Sequence, residues 1–326
     1  MKNNKQYLRY GIVAALVVFL LSTALLVISL WEDSQGFYPE TEGLSETITY
    51  EGVEYVLKKD VQTLLILGLD KFDESIQNDA YTNDQQADFV LLMVIDNANK
   101  TCAAIHINRD TMADMNILGV AGERVQTVNQ QLALAHTYGN GKEVSCRNTA
   151  EAVSRLLMNV RVDHYASLTM DAVPVLNDLV GGVELTVKDD FSDVDPSLVQ
   201  GATIRLTGEQ ALRYIRSRYG MDDSSNNARM LRQRQYMEAL YQQATAYLEN
   251  GGDISTEDSL QIADYIVSDQ SLEGLRSLFK KISDYEFINI HALEGTIIRG
   301  EKYMEFYPDV DALRKMVIDL FYEKKN

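Results

Sequence analysis

Three apolar runs in the first third of the chain constrain its core more than any other feature. They are TLLILGLD (Thr63 to Asp70), DFVLLMVID (Asp88 to Asp96) and TCAAIHINRD (Thr101 to Asp110). Short continuous apolar runs bounded by polar residues are typical of buried strands. Because only the residues NANK separate the second run from the third, we expect these two strands to be antiparallel neighbours.

The ends of these strands predict where charged side chains lie close together. If the first strand pairs antiparallel with the second across the polar loop 71–87, three strand ends meet at one edge of the sheet. That edge carries Asp70, Asp88, Arg109 and Asp110. Helical and extended patterns alternate in the rest of the chain, so we predict an α/β fold in which helices cover a mixed central sheet.

Several shorter patterns predict individual elements. TITYEGVEYVL indicates a hairpin that turns at Glu51-Gly52. Helices are expected near residues 148–159 and from residue 171 to Gly181-Gly182, and the last part of the chain indicates a strand pair followed by an amphipathic helix. Thr207 and Gln210 form a capping-box pattern that predicts a helix from about Gly208.

Residues 11–30, GIVAALVVFLLSTALLVISL, contain no charge and no proline and have the length of a membrane-spanning helix. A cleaved signal peptide would have a shorter apolar core and a small-residue cleavage site, which the following SLWEDSQG does not offer. We therefore expect a single-pass anchor in the cell membrane.

The charges that flank this segment predict its orientation. Basic residues precede it and acidic residues follow it, so the positive-inside rule leaves the N-terminus in the cytoplasm. The expected organisation is a cytoplasmic N-terminus over residues 1–10, a transmembrane helix over 11–30, a stalk over 31–47 and an extracellular domain over 48–326.

The outward-facing part of the chain is strongly acidic. After residue 30 it has 48 acidic residues against 27 basic ones, a net charge of −21. A field of that sign disfavours non-specific binding to nucleic acid. Any bound anion must therefore be held by a local cluster of positive charge.

Such a cluster is present in RYIRSRYG and RMLRQRQ, which place six arginines and no lysine within residues 213–235. Arg216 and Arg218 project to the same side if they lie in an extended segment after the helix, and Arg229 and Gln233 stand one helical turn apart. Arginine is suited to a bidentate grip on phosphate because its planar fork stays charged. Surface ion pairs with the abundant carboxylates are the alternative for any single arginine.

Other residue types exclude several kinds of site. The four histidines form no HExxH pattern, and no GxSxG elbow or P-loop is present. Cys102 and Cys146 have no CxxC spacing; a disulfide and two buried free thiols both remain open.

In chain order, the blocks LLILGLD, ADFVLLMVID, NRDT, DHY, LVGGVEL, LTGEQALRYIRSR and RMLRQRQ resemble the LytR-CpsA-Psr family of cell-wall glycopolymer ligases, from about residue 48 onwards. The resemblance implies a phosphotransferase that moves an anionic glycopolymer, such as teichoic acid or capsular polysaccharide, from an undecaprenyl-pyrophosphate carrier to peptidoglycan. It also implies Mg²⁺ as the cofactor.

By motif, the resemblance assigns Asp70 and Asp88 to Mg²⁺. It assigns pyrophosphate binding to Arg109, Arg216, Arg218, Arg229 and Gln233. Arg109 would also act in catalysis, and Asp110 would be a base towards the acceptor hydroxyl or a structural partner of a neighbouring arginine. The carrier's lipid tail needs apolar walls, for which the segments 156–160 and 173–180 are candidates.

The chain departs from the family pattern in two places. Gln86 of QAD stands where relatives usually have arginine, and Asn108 stands where they have proline before RD. Two other functions stay open. One is a lipid-pyrophosphate hydrolase that uses the same metal and arginines; the other, prompted by Gln86, is a regulator of the cell wall that binds polyprenyl pyrophosphate without turnover.

Overall fold

The three apolar runs form the middle of the central sheet. The computed structural model describes residues 44–71, 84–217, 226–252 and 255–325, which all belong to one compact unit. Its strands are β1 (Thr47–Tyr50), β2 (Val53–Leu57), β3 (Val61–Leu69), β4 (Phe89–Asp96), β5 (Thr101–Ile107), β6 (Met112–Leu118), β7 (Arg124–Gln131), β8 (His164–Thr169), β9 (Val183–Thr186), β10 (Thr203–Leu206), β11 (Ile266–Ser268), β12 (Glu286–Ala292), β13 (Gly295–Arg299), β14 (Met304–Pro308) and β15 (Tyr322–Lys324).

The helices lie between these strands along the chain. They are α1 (Glu143–Leu156), α2 (Ala172–Leu179), α3 (Gly208–Arg216), α4 (Asn226–Glu249), α5 (Thr256–Ala263), α6 (Leu272–Ile282) and α7 (Val310–Phe321), with a 3₁₀ helix at Leu132–Thr137. The capping box of α3 forms as expected, because the Thr207 side chain accepts from the Gln210 amide while the Gln210 side chain bonds back to the Thr207 amide.

Within the described residues the central sheet has six strands, in the order β11-β8-β3-β4-β5-β12. Strand β4 is antiparallel to both β3 and β5, which confirms the expected pairing. Strand β8 joins β3 in parallel and β12 joins β5 in parallel. The prediction of a mixed central sheet with helices is therefore confirmed.

Smaller sheets surround this core. They are β1-β2-β15, β6-β7, β9-β10 and β13-β14. The first contains the expected hairpin, in which Glu51 (φ 49°) and Gly52 (φ 78°) form a turn that needs positive φ at both central residues. The hairpin β13-β14 precedes α7, as the end of the sequence predicts.

Helices α4 and α6 cover one face of the central sheet. Every residue of β4 is buried, and alternate residues from Phe89 to Ile95 pack with Met237 and Tyr241 of α4 and with Phe279 of α6. Because β4 is buried along its whole length, both of its faces are covered, which explains why its sequence is continuously apolar.

The DHY block joins the starts of β3 and β8. Asp163, which is buried, accepts from the Thr63 amide at 2.8 Å, and its own amide donates to Thr63 Oγ1 at 2.9 Å. His164 Nδ1 lies 3.1 Å from Asp269 Oδ2. These bonds give DHY a structural role at the edge of the sheet opposite to the one that carries Asp70 and Asp88.

Two expectations about local structure are corrected. Arg216 is the last residue of α3 and not part of an extended segment, because the helical pattern continues to it and the backbone becomes extended only at Ser217. The helix expected near residues 148–159 begins earlier, at Glu143.

The predicted membrane segment at 11–30 and most of the predicted stalk lie outside the described residues. Among the helices that are described, none combines the length and the apolar character needed to cross a membrane.

Both cysteines are buried free thiols, so the disulfide alternative is wrong. Cys102 belongs to the cluster between the sheet and α4, whereas Cys146 lies on α1 with its sulfur 3.8 Å from His136 Nε2. Burial raises the pKa of Cys102 to about 11 and that of Cys146 to about 12.

Candidate functional site

Two aspartates lie at one edge of the central sheet because β3 ends where β4 begins. The Asp88 amide donates to the Gly68 carbonyl at 2.9 Å, which continues the antiparallel ladder beyond the pair Gly68–Phe89. Asp70 follows β3 directly, with 65% of its side chain exposed, while the Asp88 side chain is 24% exposed. The edge therefore presents one open carboxylate and one sheltered carboxylate.

Arg109 leaves the neighbouring strand β5 and is fixed by two acceptors. Its Nη1 donates to Asp88 Oδ1, and its Nη2 donates to Gln86 Oε1 at 2.5 Å. Its Nε lies 3.6 Å from Asp110 Oδ1. Gln86 thus orients Arg109, a role that the sequence did not indicate.

Helix α4 brings a second arginine to the same carboxylate. Arg229 is buried in the first turns of α4, and its Nη1 lies 4.0 Å from Asp88 Oδ2. One turn later, Gln233 is 4% exposed, and its Oε1 has no hydrogen-bond partner among the described residues. A buried acceptor without a partner is costly, so Gln233 marks a place where a ligand or water donor fits.

Arg216 reaches this edge from the end of α3. Its Nη2 donates to Asp70 Oδ1 at 2.7 Å, and the two side chains are 57% and 65% exposed. An ion pair this open to water contributes little to stability and is readily exchanged. Arg218 lies outside the described residues.

Two other arginines of the motifs, Arg232 and Arg213, serve elsewhere. Arg232 is 2% exposed, donates from Nε to the Tyr214 carbonyl at 3.2 Å and lies over the Phe191 ring at 4.8 Å. Arg213 is half exposed and pairs with Asp195 at 3.5 Å. The stretch therefore divides into ligand-facing arginines and arginines that pack the fold.

Asp110 is held by two neighbours. Its Oδ1 accepts from Gln131 Nε2 at 2.9 Å and lies 3.6 Å from Arg109 Nε. These contacts match the structural alternative foreseen for Asp110. They also hold its carboxylate beside Arg109. Gln131 was not identified from sequence, because a glutamine at the end of a polar strand has no distinguishing pattern.

An apolar cavity of about 180 Å³ opens beside this charged edge. Its lining includes Gly68 and Phe89 at the sheet edge and Gln233, Met237 and Leu240 on α4. A second cavity, of about 280 Å³, shares Met237 and Leu240 with it, and a third, of about 220 Å³, shares Leu240 with both. Together they form an apolar space between the sheet, α2, α4 and α6.

Of the two segments that the sequence predicted to line this apolar space, one does. The segment 173–180 contributes Val173, Leu176, Leu179 and Val180, as expected. The segment 156–160 does not line it: Met158 and Asn159 border a separate cavity near α7, because they follow the end of α1. Helix α6, which supplies Phe279, was not foreseen as a wall.

A neutral histidine lies behind the arginines. His106 on β5 is 1% exposed, and its ring centroid is 4.7 Å from that of Phe89. Burial, reinforced by the charges of Arg234 and Arg229, lowers its pKa to about 3. The imidazole is therefore uncharged at neutral pH and adds no further positive charge to the cluster.

The described residues contain no group of three or more His, Cys, Asp or Glu side chains that could hold a metal ion by itself. The two aspartates at the sheet edge offer only hard oxygen donors. Mg²⁺ is commonly bound by one or two carboxylates together with substrate phosphates and water, so this pair fits Mg²⁺ when a phosphate supplies further ligands.

His106 makes the stability of the fold depend on pH. Its folded-state pKa of about 3 lies below the ordinary histidine pKa of 6.5. The unfolded chain therefore takes up a proton first as the pH falls, so stability that is complete above pH 6.5 is lost below it at about 1.4 kcal/mol per pH unit. Between pH 7 and pH 5, we expect the free energy of unfolding of His106→Gln, measured by urea unfolding, to fall by about 2 kcal/mol less than that of the parent protein. An unchanged pH dependence would show that His106 is charged or solvated in the folded state.

Comparison with known proteins gives a consistent result. The model of the LytR_cpsA_psr family matches residues 38–316. Polyisoprenyl-teichoic acid–peptidoglycan teichoic acid transferase TagU of Enterococcus faecalis is 27% identical over 239 residues, which is 71% of each chain.

Solved structures share the fold. TagT of Bacillus subtilis superposes with a TM-score of 0.59 at 20% identity, covering 88% of this chain and 95% of that one. A structure of TagT bound to LI-WTA gives a TM-score of 0.60 at 20% identity, covering 86% and 98%. Because the family model covers most of the described domain as well, the chain belongs to the LytR-CpsA-Psr family.

Proposed function

We propose that the protein is a membrane-anchored phosphotransferase that moves an anionic glycopolymer from a polyprenyl-pyrophosphate carrier to peptidoglycan. The activity named for its relative TagU, transfer of teichoic acid from a polyisoprenyl carrier to peptidoglycan, supports this proposal. The domain would act outside the cell, beside the membrane that holds its donor.

One observation carries the proposal: on a single face of α4, polar and charged side chains are followed by apolar side chains that line the cavity. Arg229 and Gln233 stand at its charged end, and Met237, Leu240 and Ala244 continue the stripe at helical spacing into the cavity. A ligand that fits this stripe has an anionic head and a long apolar tail. A polyprenyl pyrophosphate is such a ligand.

The charged end suits a diphosphate in particular. Arg109, Arg216 and Arg229 approach from three different elements, and each is already beside a carboxylate that a phosphate oxygen can replace or supplement. Guanidinium groups bind phosphate oxygens through paired hydrogen bonds, which are strengthened where water is excluded.

Mg²⁺ would be held by Asp70 and Asp88 together with phosphate oxygens. The exposed pair Asp70–Arg216 can open to admit it, since both partners are more than half exposed. The ion supplies neutralisation of the charge that develops on the phosphoryl oxygens. Arg109 and Arg229, which are more sheltered beside Asp88, would stabilise the same charge through hydrogen bonds.

The reaction balances as a single phosphoryl transfer. An acceptor hydroxyl oxygen forms a bond to the phosphorus that carries the glycan, and the bond from that phosphorus to the bridging oxygen breaks. Polyprenyl phosphate leaves, and the hydroxyl proton passes to a base. Gln131 holds the Asp110 carboxylate beside Arg109, and we assign Asp110 that role.

The test of this function uses a synthetic lipid-pyrophosphate glycan, peptidoglycan oligomers and Mg²⁺, with mass spectrometry of the products. Coupled glycan–peptidoglycan supports the transferase. Release of phosphate-terminated glycan despite the acceptor would instead indicate a hydrolase, and tight donor binding without any product would indicate a regulator.

Arg229→Ala removes a buried charged contact, so we expect transfer to fall by at least about a hundredfold. Arg213→Ala is the matched control, because that arginine is half exposed and pairs with Asp195 at 3.5 Å; its activity should stay within about twofold. Thermal unfolding checks that both variants are folded, with Arg229→Lys as a milder replacement. Equal activity of Arg229→Ala and Arg213→Ala would contradict the assignment.

Leu240→Trp should block the apolar space, because Leu240 borders all three cavities. The expected result is weaker binding of a long-tailed polyprenyl pyrophosphate, with binding of inorganic pyrophosphate unchanged. Leu231→Trp, on the same helix but 53% exposed, is the control and should bind both ligands like the parent. Loss of inorganic pyrophosphate binding in Leu240→Trp would instead point to a disturbed charged site.

A further inference from the structure

The hairpin β13-β14 is attached directly to the segment that carries Asp110. The Phe306 amide donates to the Asp110 carbonyl at 2.9 Å, and Thr111 pairs with Phe306 in a parallel bridge. Gln131 Nε2 donates both to Asp110 Oδ1 at 2.9 Å and to the Met304 carbonyl at 2.8 Å. The hairpin therefore extends the candidate site on the side of its proposed base.

The two faces of this hairpin differ. Phe306, which is buried, and Ile297 lie opposite each other on the inner face. On the outer face, alternation places Glu305 and Tyr307 of β14 and Thr296 and Ile298 of β13, and Tyr303 lies in the turn just before β14. Tyr303, Tyr307 and Ile298 are exposed by 56%, 43% and 45%. We call these five residues the outer hairpin face.

Asp110 lies beside this hairpin. Its backbone carbonyl accepts from the Phe306 amide, and its side chain shares the donor Gln131 Nε2 with the Met304 carbonyl. Asp110 lies next to Arg109, whose side chain is bound to Asp88. A chain lying along the outer hairpin face can thus reach both the proposed base and the phosphate-binding arginines.

The outer hairpin face is pre-organised. Tyr307 Oη donates to Glu305 Oε2 at 2.8 Å, which fixes the ring and the carboxylate relative to each other. Glu305 also lies over Gly300, where an added Cβ would come within 2.1 Å of its Oε1. Tyr303, in the turn before β14, and Tyr307 on β14 stand on either side of Glu305 in sequence, so the face offers two aromatic rings and a carboxylate.

Its chemistry favours a sugar chain without negative charge. Tyrosine rings have an electron-rich face that attracts the C–H groups of a sugar ring, and the Glu305 carboxylate accepts from hydroxyl or acetamido donors. The nearby sequence is acidic: residues 294–311 contain Glu294, Glu301, Glu305, Asp309 and Asp311 against Arg299 and Lys302. Such a surface repels an anionic glycopolymer.

We propose that the outer hairpin face binds the glycan strand of the peptidoglycan acceptor and delivers its hydroxyl to the site. The inference rests on the proposed function and adds to it the position of the second substrate. The donor occupies the arginines and the apolar space, while the acceptor lies on β13-β14, and Asp110 stands between the two.

The test is a double variant, Tyr303→Ala with Tyr307→Ala, assayed for transfer at saturating donor and varied acceptor. We expect the acceptor KM to rise at least about tenfold, with kcat and the affinity for the lipid-pyrophosphate donor unchanged. Tyr55→Ala, which removes a half-buried tyrosine from β2, is the matched control and should leave both parameters unchanged. An unaltered acceptor KM in the double variant overturns the proposal.

Direct binding separates this inference from the function on which it rests. Isothermal titration of the protein uses three probes: uncharged β-1,4-linked N-acetylglucosamine oligomers as the glycan, free stem peptides, and poly(glycerol phosphate). Binding of the uncharged glycan alone, lost in the double variant, supports the proposal. Binding only of the stem peptide or of the polyanion overturns it. If the protein transfers no glycan but still binds the donor, the proposed function fails while this binding result stands by itself.

Discussion

The antiparallel register of β3, β4 and β5 is the constraint on which the site depends. Because β4 runs opposite to both neighbours, the end of β3, the start of β4 and the end of β5 meet at one edge. Asp70, Asp88 and Arg109 occupy these three positions. A shift of one residue would turn each side chain to the other face, so the buried apolar pattern of the strands also fixes the geometry of the charged edge.

Electrostatics explains why this edge needs its carboxylates. Arg109 and Arg229 are largely buried and approach the same aspartate, Asp88. Two sheltered guanidinium groups repel each other and lose hydration, and the carboxylate that they share offsets part of that cost. A diphosphate carries more negative charge than Asp88 alone. Under the proposed function, a bound diphosphate would further offset the repulsion between the two arginines.

The strands at the core of the sheet were predictable because each is a continuous apolar run with polar ends. The arginines were harder to assign. Arg229 and Arg232 are three residues apart in one motif, yet Arg229 faces Asp88 while Arg232 packs over Phe191. Which of them faces the site depends on how α4 is rotated against the sheet, and that rotation is set by tertiary packing.

Contacts between distant segments could not be predicted from the sequence either. Gln86 departs from the family pattern, and in the structure its side chain orients Arg109. This gives the glutamine a positive role and weakens the reason for regarding the chain as a non-catalytic relative. Gln131 connects Asp110 to the Met304 carbonyl on β14, although Gln131 and Met304 are 173 residues apart in sequence. No local sequence pattern marks such a partner.

The central claim is that one ligand occupies both the charged edge and the apolar space beside it. Isothermal titration with pyrophosphates that carry progressively longer prenyl tails tests this most directly. Affinity should rise with each added prenyl unit until the apolar space is filled, and then become constant, because each buried methylene adds to binding. If every tail length binds no more tightly than inorganic pyrophosphate, the cavities do not hold the tail and the account is wrong.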